Sequence, residues 1–166
     1  LGVHHRWLGY VDSGLPDPVE GKSMEELLPE GCFALQGDDT VAQEFVQVIR
    51  EFRPHVIITY DENGGYPHPD HLMVHRASMI AWEKAGDAEY HPELGEAWTP
   101  LKLYYSHGFV YQRMKIFHDL LLDEGKTSPY GPMLARWDTA FGDIMARVTT
   151  QVECADYFSN REEALR

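Results

Sequence analysis

Within residues 39–59, a hydrophobic periodicity typical of helices is followed by a short apolar run typical of buried strands. Apolar residues recur three and four positions apart from Asp39 to Phe52, which predicts an amphipathic helix with Asp39 or Thr40 as its N-cap. The run VIIT at residues 56–59 is short and β-branched, which predicts a parallel strand buried on both faces. A helix therefore leads through a short loop into a core strand.

Similar patterns continue on both sides of this segment. A second helix is predicted to begin near Pro69 and to end at Gly86, because proline is favoured in the first helical turn and glycine after the last. The remaining predicted elements are strands over 6–11, 101–108 and 146–154, helices over 110–125 and 155–166, and a helical turn over 23–28 within a surface loop at 17–31. Strands that alternate with helices indicate an α/β fold.

Composition and charge limit the classes of function. With 166 residues, 43% of them hydrophobic, the chain can bury one core, and we expect a single domain over residues 1–166. Its net charge of −13 repels phosphate backbones and anionic lipid headgroups, so neither nucleic acid nor a membrane is an expected partner. No apolar run approaches the roughly 20 residues that cross a bilayer, and we expect a cytoplasmic protein. Cys32 and Cys154 are expected to be two reduced thiols.

The densest chemistry follows the predicted strand at 56–59. Residues 59–75, TYDENGGYPHPDHLMVH, combine three histidines with carboxylates, glycines and prolines. In an open α/β sheet, ligands bind beyond the carboxyl ends of the strands, where this loop is expected. His68 is predicted just before the second helix, His71 in its first turn and His75 on the same face one turn later. Imidazole and carboxylate groups bind zinc and similar divalent ions, so the loop is a candidate metal site.

Histidine spacing alone leaves other interpretations open. In a chain with nine histidines such spacings also arise by chance, and a catalytic zinc ion usually takes three protein ligands. His71 is the firm ligand candidate in this segment, whereas His75 is expected to support the site or to pack beside it. His68 fits equally the role of an acid or of an oxyanion stabiliser. Gly64 and Gly65 are also compatible with an ordinary turn.

The string NGGYPHPDH at residues 63–71 carries a family resemblance. This string and its surroundings resemble the PIG-L/LmbE-like zinc deacetylase superfamily, and the similarity extends over nearly the whole chain. The segments that contribute to it are 8–16, 53–60, 59–75, 103–109 and 147–166. The resemblance implies a Rossmann-like three-layer α/β/α fold with a mostly parallel sheet, and it implies metal-dependent hydrolysis of an amide.

The resemblance also implies roles for five side chains. His71 matches a zinc ligand, and His68 matches a histidine that stabilises the oxyanion or protonates the leaving amine. Asp70 would orient His68 through a hydrogen bond. Tyr66 would help to polarise the amide carbonyl or would move with the loop. Asp12, in the segment DSGL, would hold sugar hydroxyls, although an Asx turn is an equal alternative for this residue.

One motif of the family does not occur in the chain. The family's His-Pro-Asp-Asp-Glu string, which would supply the other histidine and aspartate ligands and the general base, is absent from the 166 residues. The two His-Pro pairs are His68-Pro69 and His91-Pro92, and the second continues with Glu-Leu-Gly. We therefore expect a partial domain that lacks N-terminal and C-terminal portions of the fold and holds zinc weakly on its own. The missing N-terminal segment of the same protein is an expected partner.

Within the family, the chain resembles the branch that cleaves mycothiol S-conjugates. The expected substrate is a small molecule, a mycothiol S-conjugate or a related N-acyl glucosaminide, cleaved at the amide between glucosaminyl-inositol and an N-acyl-cysteine. Glu62 and Pro67 in YDENGGYPHPDH carry the resemblance to this branch. Zn²⁺ is the implied cofactor, with Fe²⁺ as the alternative. Two other functions stay open: deacetylation of the N-acetylglucosaminyl-inositol precursor of mycothiol, and a non-catalytic sugar-binding fragment.

Overall fold

The structure, a computed structural model, describes residues 2–107, 110–135 and 144–165. Two compact units divide the chain. One unit is Leu8–Phe109, and the other combines Leu1–Trp7 with Val110–Arg166. All the candidate site residues named above belong to the first unit, which is therefore described in more detail.

The first unit alternates helices with parallel strands. Its main elements are α1 (Asp38–Phe52), β1 (Val56–Thr59), α2 (Pro69–Lys84) and β2 (Lys102–Tyr105), with 3₁₀ turns at Glu25–Leu27, Phe33–Leu35 and Pro92–Leu94. The two strands pair in parallel, with Val56 opposite Lys102 and Thr59 opposite Tyr105. This order of helices and parallel strands confirms the α/β fold and the central elements predicted from hydrophobic periodicity.

Helices α1 and α2 pack against each other and form the core of this unit. The buried apolar side chains lie in two neighbouring clusters, namely Val41, Ala42, Met73 and Ala77, and Val46, Ile49, Ala81 and Ala85. Three of the four residues on the α2 side, Ala77, Ala81 and the C-cap Ala85, are alanines, which lets the larger valine and isoleucine side chains of α1 approach the α2 backbone. The packed pair fixes α2 in the unit and, with it, the loop that precedes α2.

The predicted burial of β1 on both faces is wrong for the described residues. Val56 and Ile58 are 46% and 69% exposed, whereas Thr59 is buried and Ile57 packs against the core. Successive side chains of a strand point to opposite faces, and only the face of Ile57 and Thr59 is covered by helices here. A continuous apolar run therefore indicated a strand correctly but did not show how many of its faces are covered.

Two other predicted strands do not form. The segment 6–11 contributes only one isolated bridge, in which Val11 pairs with Cys32. Residues 144–147 form a 3₁₀ turn, and residues 148–154 have no regular structure. A short β-branched run needs a neighbouring strand for its backbone hydrogen bonds, and the described residues give these segments no such ladder.

The start of α1 also differs from its prediction. Its N-cap is Gly37, which offers no side-chain hydrogen bond, instead of Asp39 or Thr40. The carboxylates of Asp38 and Asp39 lie in the first turn, where they stabilise the positive end of the helix dipole. The acidic cluster was therefore a correct helix-start signal with the wrong residue as the cap.

The second unit is helical in its described residues. It contains α3 (Tyr111–Asp123), α4 (Gly131–Ala135), 3₁₀ turns at Ile144–Arg147 and Ala155–Tyr157, and α5 (Phe158–Ala164). The helices predicted over 110–125 and 155–166 are thus confirmed, the second with a 3₁₀ first turn. Within the described ranges, no helix is both long enough and apolar enough to cross a bilayer. Cys32 and Cys154 are free thiols, as predicted.

Candidate metal-binding and active site

The first turn of α2 places His68 at the helix N-terminus. His68 is the N-cap, and its Nδ1 accepts a hydrogen bond of 3.2 Å from the backbone N–H of Asp70. Pro69 occupies the first helical position, where its missing N–H costs nothing. Because Nδ1 acts as an acceptor, the neutral ring carries its proton on Nε2. His68 therefore presents an N–H donor at the nitrogen opposite the cap.

His71, one turn further along, is held in the opposite tautomer. Its Nδ1 lies 2.9 Å from the carbonyl oxygen of Gly64. A carbonyl oxygen can only accept, so Nδ1 carries the proton and Nε2 keeps a free electron pair. The ring of Tyr60 stacks on His71 at 4.1 Å and 9°, and that of Tyr66 meets it edge-on at 4.8 Å. These contacts fix both the orientation and the tautomer of the His71 ring.

The two imidazoles are therefore complementary neighbours. Their ring centroids lie 4.9 Å apart with 31° between the planes. The His68 ring offers a proton at Nε2 and the His71 ring offers an electron pair at Nε2. Tyr66 also contacts the His68 ring, at 5.9 Å between centroids. The sequence-predicted pair thus meets at the end of β1 with one hydrogen-bond donor and one ligand atom.

The turn that precedes α2 depends on Asp61 and on two glycines. The Asp61 side chain is 1% exposed, and its Oδ1 accepts from the backbone N–H groups of Asn63 and Gly65. Gly64 and Gly65 have φ values of 67° and 71°, in the left-handed region that favours glycine. A Cβ at Gly64 would lie 2.9 Å from the Cβ of His71. Gly64 is therefore needed for close approach as well as for the turn.

Asp70 connects the site to the segment that contains Asp12. Its Oδ2 accepts a 3.0 Å hydrogen bond from the backbone N–H of Ser13, and its Oδ1 is buried without a hydrogen-bond partner among the described residues. The hydrogen bond between Asp70 and His68 runs through the backbone N–H of Asp70 and not through its carboxylate. The Asp70 carboxylate thus holds the neighbouring loop, while its backbone orients the histidine.

Asp12 is exposed and forms an Asx turn. Its Oδ1 accepts a 2.7 Å hydrogen bond from the backbone N–H of Gly14. Ser13, the residue between them, is buried and provides the link to Asp70. The turn uses one carboxylate oxygen, so a role of Asp12 in holding a sugar hydroxyl stays a prediction that this geometry permits.

His75 lies beside the pair and is also tied to the loop. Its Nδ1 is 3.1 Å from the carbonyl oxygen of Tyr60, and its ring contacts that of Tyr105 at 5.7 Å between centroids. One nitrogen of this ring is therefore engaged with the backbone that leads out of β1. These contacts are compatible with the supporting or packing position predicted for His75.

Three residues of the site were not singled out from the sequence: Tyr60, Asp61 and His107. Tyr60 supplies the ring that stacks on His71. His107 places its Nδ1 3.8 Å from Oδ2 of Asp61. Asp61 and His107 each follow a strand by two residues, so the edge-of-sheet rule that selected His68 and His71 also applied to them.

The described residues fit one ligand of a metal ion but not a complete set. A metal-binding histidine typically donates its second ring N–H to a carbonyl or carboxylate, as His71 does to Gly64. In the part of the chain that the structure describes, no group of three or more His, Cys, Asp or Glu side chains could hold a metal. A catalytic zinc ion usually has three protein ligands. Weak metal binding by these residues alone stays a prediction.

Comparisons with known proteins agree with the resemblance. Residues 1–82 match the family model described as PIG-L: GlcNAc-PI de-N-acetylase. A mycothiol S-conjugate amidase from Streptomyces coelicolor is 53% identical over 99% of this chain and 55% of its own length. The similarity to this amidase therefore extends well beyond the segment that the family model matches.

Two deacetylases are also similar. The 1D-myo-inositol 2-acetamido-2-deoxy-alpha-D-glucopyranoside deacetylase 1 of Catenulispora acidiphila is 37% identical over 100% of this chain and 51% of its own length. The corresponding deacetylase of Geodermatophilus obscurus is 53% identical, over 63% of this chain and 35% of its own length. The chain thus spans about half the length, or less, of these relatives. The family match over residues 1–82 and the identity to these relatives show that this chain is similar to PIG-L proteins along its whole length.

Proposed function

We propose that the protein containing this chain is a metal-dependent hydrolase that cleaves the amide bond of mycothiol S-conjugates. The bond joins the glucosaminyl-inositol portion to an N-acyl-cysteine whose sulfur carries the adduct. The observation that supports hydrolysis most strongly is the pair of opposite tautomers, a donor at His68 and a free electron pair at His71. The similarity to the Streptomyces amidase along 99% of the chain favours this substrate class.

His71 is proposed to bind Zn²⁺, or Fe²⁺ as the alternative, through Nε2. A bound divalent ion supplies an activated water and polarises the amide carbonyl. The chain's own contribution is the fixed ring: Gly64 holds the proton on Nδ1, and Tyr60 prevents rotation by stacking on one face. The remaining ligands are proposed to come from outside the residues described, as is the base that would take the proton from water and return it to the leaving amine.

His68 is proposed to stabilise the tetrahedral oxyanion and not to protonate the leaving amine. Its Nδ1 already accepts from the Asp70 N–H, so a doubly protonated ring would bring two donors together at 3.2 Å. The neutral ring has a donor at Nε2, which suits an oxyanion. Removal of one such donor lowers kcat by roughly 10²–10³-fold in other hydrolases.

The two remaining predicted roles are compatible with this arrangement. Tyr66 lies edge-on to both imidazoles, where its hydroxyl could contact the amide carbonyl of a bound substrate. Asp12 is proposed to bind hydroxyls of the glucosamine ring with the carboxylate oxygen that its Asx turn leaves available. The hydrogen bond from the Ser13 N–H to Asp70 connects this loop to the N-terminus of α2, and therefore connects the proposed sugar site to the two histidines.

Deacetylation of N-acetylglucosaminyl-inositol is the second candidate. The Geodermatophilus deacetylase is as similar as the Streptomyces amidase, 53%, over the part of the chain that it covers. Both reactions cleave an amide on the amino group of glucosamine and use the same tautomer pair. The length and polarity of the acyl group therefore distinguish the two functions.

A product assay with the intact protein separates these functions. The amidase proposal predicts release of the S-conjugated N-acetylcysteine at a kcat/KM well above that for acetate release from N-acetylglucosaminyl-inositol. His71→Ala should abolish both reactions, and His68→Ala should lower kcat by about 10²–10³-fold. His55→Ala is the matched control, because this exposed histidine lies at the opposite end of β1. Faster release of acetate would favour the deacetylase, and activity unaffected by His71→Ala would exclude both.

A further inference from the structure

A buried carboxylate and a partly buried imidazole lie close together beside the site without a role in the proposed mechanism. Asp61 follows β1 and His107 follows β2, each two residues past the paired positions Thr59 and Tyr105. The parallel register therefore brings both to the same edge of the sheet. The Asp61 side chain is 1% exposed and that of His107 is 14% exposed. An aspartate is seldom fully buried unless its carboxylate is paired or hydrogen-bonded.

Asp61 organises the backbone that carries the Gly64 carbonyl. Its Oδ1 accepts from Asn63 and Gly65 at 3.2 and 2.9 Å, and its own carbonyl oxygen accepts from the backbone N–H of Gly64 at 2.9 Å. Three successive backbone N–H groups are thus satisfied by one residue. With these bonds made, the carbonyl of Gly64 faces Nδ1 of His71.

His107 lies near the other oxygen of the same carboxylate. Its Nδ1 is 3.8 Å from Oδ2 of Asp61 and has no hydrogen-bond partner among the described residues. The Oδ2 atom also lies 3.3 Å from Nδ2 of Asn63. The carboxylate is therefore held by the turn at Oδ1 and by Asn63 at Oδ2, and His107 lies beside Oδ2 without a hydrogen bond to it.

We propose that Asp61 is a positioning residue for His71, acting through the 61–65 turn, and that His107 supports it. The chain of contacts runs from the Asp61 carboxylate to the turn, from the turn to the Gly64 carbonyl, and from there to Nδ1 of His71. Its effect is to keep the proton on Nδ1 and the electron pair on Nε2. The proposal rests on the proposed role of His71 as a metal ligand, and Asp61 itself touches neither metal nor substrate.

The tautomer of His71 distinguishes this role from simple structural support. A residue that only stabilises the fold would lower the melting temperature and leave the ring proton on Nδ1. A positioning residue sets the tautomer, because His71 loses its preferred acceptor when the Gly64 carbonyl moves. The ring nitrogens of the two tautomers differ clearly in ¹⁵N chemical shift, so NMR of histidine-labelled, metal-free intact protein measures the quantity directly.

Asp61→Ala and Asp61→Asn form the central test. In Asp61→Ala, we expect the population of the Nδ1–H tautomer of His71 to fall and Zn²⁺ affinity to drop by about 10- to 100-fold, as for other residues behind metal ligands. Asp61→Asn keeps an acceptor for Asn63 and Gly65 and should recover most of both quantities. His107→Ala should change both in the same direction as Asp61→Ala, by a smaller amount.

Thr59→Val is the matched control, because Thr59 is also buried at this end of β1 but bonds to Ser78 instead of the turn. The proposal is overturned if Asp61→Ala keeps the tautomer and the Zn²⁺ affinity of the control. It is equally overturned if Asp61→Asn loses as much as Asp61→Ala. If Asp61→Ala does not fold, Gly64→Ala takes its place, because it displaces the same carbonyl. The Nδ1–H population of His71 should then fall below that of Thr59→Val, and an unchanged population overturns the proposal. The tautomer is measured without metal or substrate, so its result does not depend on whether the amidase assay succeeds.

Discussion

The two ends of α2 are held in opposite ways. At its C-terminal end, the buried guanidinium of Arg50 donates to six backbone carbonyls between the last residue of α2 and Gly95. These are the carbonyls of Lys84, Ala85, Asp87, Tyr90, His91 and Gly95. At the N-terminal end, His68 and His71 each use one ring nitrogen for the backbone and keep the other available. Asp70 also keeps a buried oxygen without a partner among the described residues.

The C-terminal end of α2 therefore serves structural support, and its N-terminal end serves chemistry. A cation at a helix C-terminus stabilises the helix dipole, and Arg50 uses all three guanidinium nitrogens for structure. The N-terminal end keeps a donor and an electron pair that the fold does not consume. Substitutions at the C-terminal end should therefore change stability, and substitutions at the N-terminal end should change metal binding and catalysis more than stability.

The largest effect on stability is expected for Arg50→Ala. Several charge-assisted hydrogen bonds, each worth about 1.5–3 kcal/mol, are lost together and water can replace only part of them. We expect the free energy of unfolding to fall by about 3–4 kcal/mol in urea titrations. Arg53→Ala is the control: that arginine is half-exposed and pairs with Glu96 on the surface, so its loss should cost no more than about 1 kcal/mol. Equal losses in the two variants would contradict the role given to Arg50.

Gly64→Ala should act on both stability and metal binding. The left-handed φ of 67° alone costs about 1–2 kcal/mol for alanine. In addition, the new Cβ would meet the His71 Cβ and the Tyr66 carbonyl oxygen at 2.9 Å. Gly21→Ala isolates the first contribution, because Gly21 has a φ of 80° and a Cβ added there would meet no atom within 4 Å. Only Gly64→Ala should also weaken Zn²⁺ binding in calorimetric titrations; equal Zn²⁺ affinity in both variants would contradict this.

The structural function of His68 as an N-cap can be separated from its chemical function by two substitutions. His68→Ala removes the N-cap and should cost about 1 kcal/mol of stability as well as activity. Asparagine is a favoured N-cap, so His68→Asn should restore the stability while kcat stays low, because it lacks the donor at the position of Nε2. Thermal unfolding and steady-state kinetics on the two variants measure both quantities. Recovery of kcat in His68→Asn would show that the histidine acts only as a cap.

The smallest effect concerns pH and lies away from the site. Burial, together with a hydrogen bond to Asp39, raises the pKa of Tyr90 to about 12 from its ordinary 10.0. A raised pKa in the folded state means that this contribution to stability is complete below pH 10 and is lost as the pH rises towards 12. Tyr90→Phe should therefore flatten the decline of unfolding free energy over this interval. An unchanged pH profile in Tyr90→Phe would contradict the assignment.

The hydrogen bond between Tyr90 and Asp39 also predicts a pH effect at the acidic end of the scale. Hydrogen bonds from Tyr90 and Gln43 lower the pKa of the Asp39 carboxyl below its ordinary 3.8. A lowered pKa gives a contribution that is present above 3.8 and is lost as the pH falls through the folded-state pKa. The carboxyl is exposed, so the effect is small, and carboxyl NMR titration of wild type against Tyr90→Phe measures it directly.

Local signals in the sequence predicted the elements around the site. Pro69 after His68 indicated the start of α2, and the β-branched run at 56–59 indicated β1, because both signals depend on the backbone of a few consecutive residues. The strands predicted over 6–11 and 146–154 did not form, since a strand also needs a partner that local pattern does not reveal.

Long-range contacts account for what sequence patterns missed. In the sequence, Arg50 has the position of an ordinary polar residue in an amphipathic helix. The backbone carbonyls that it contacts lie 34 to 45 residues further along the chain. Asp61 and His107 become neighbours only through the register of β1 and β2. The tautomers of His68 and His71 depend on single hydrogen bonds of the folded chain. Residue types thus indicated a metal site, whereas the division of roles between the histidines required the structure.

Zn²⁺ titration of the intact protein with ¹⁵N-labelled histidines tests the central claim most directly. The account predicts that Nε2 of His71 shifts on binding while its Nδ1 keeps the proton bonded to the Gly64 carbonyl. His75, one turn along α2 and bonded to the Tyr60 carbonyl, should shift far less. A His71 signal that stays unchanged when Zn²⁺ saturates the protein would contradict the account.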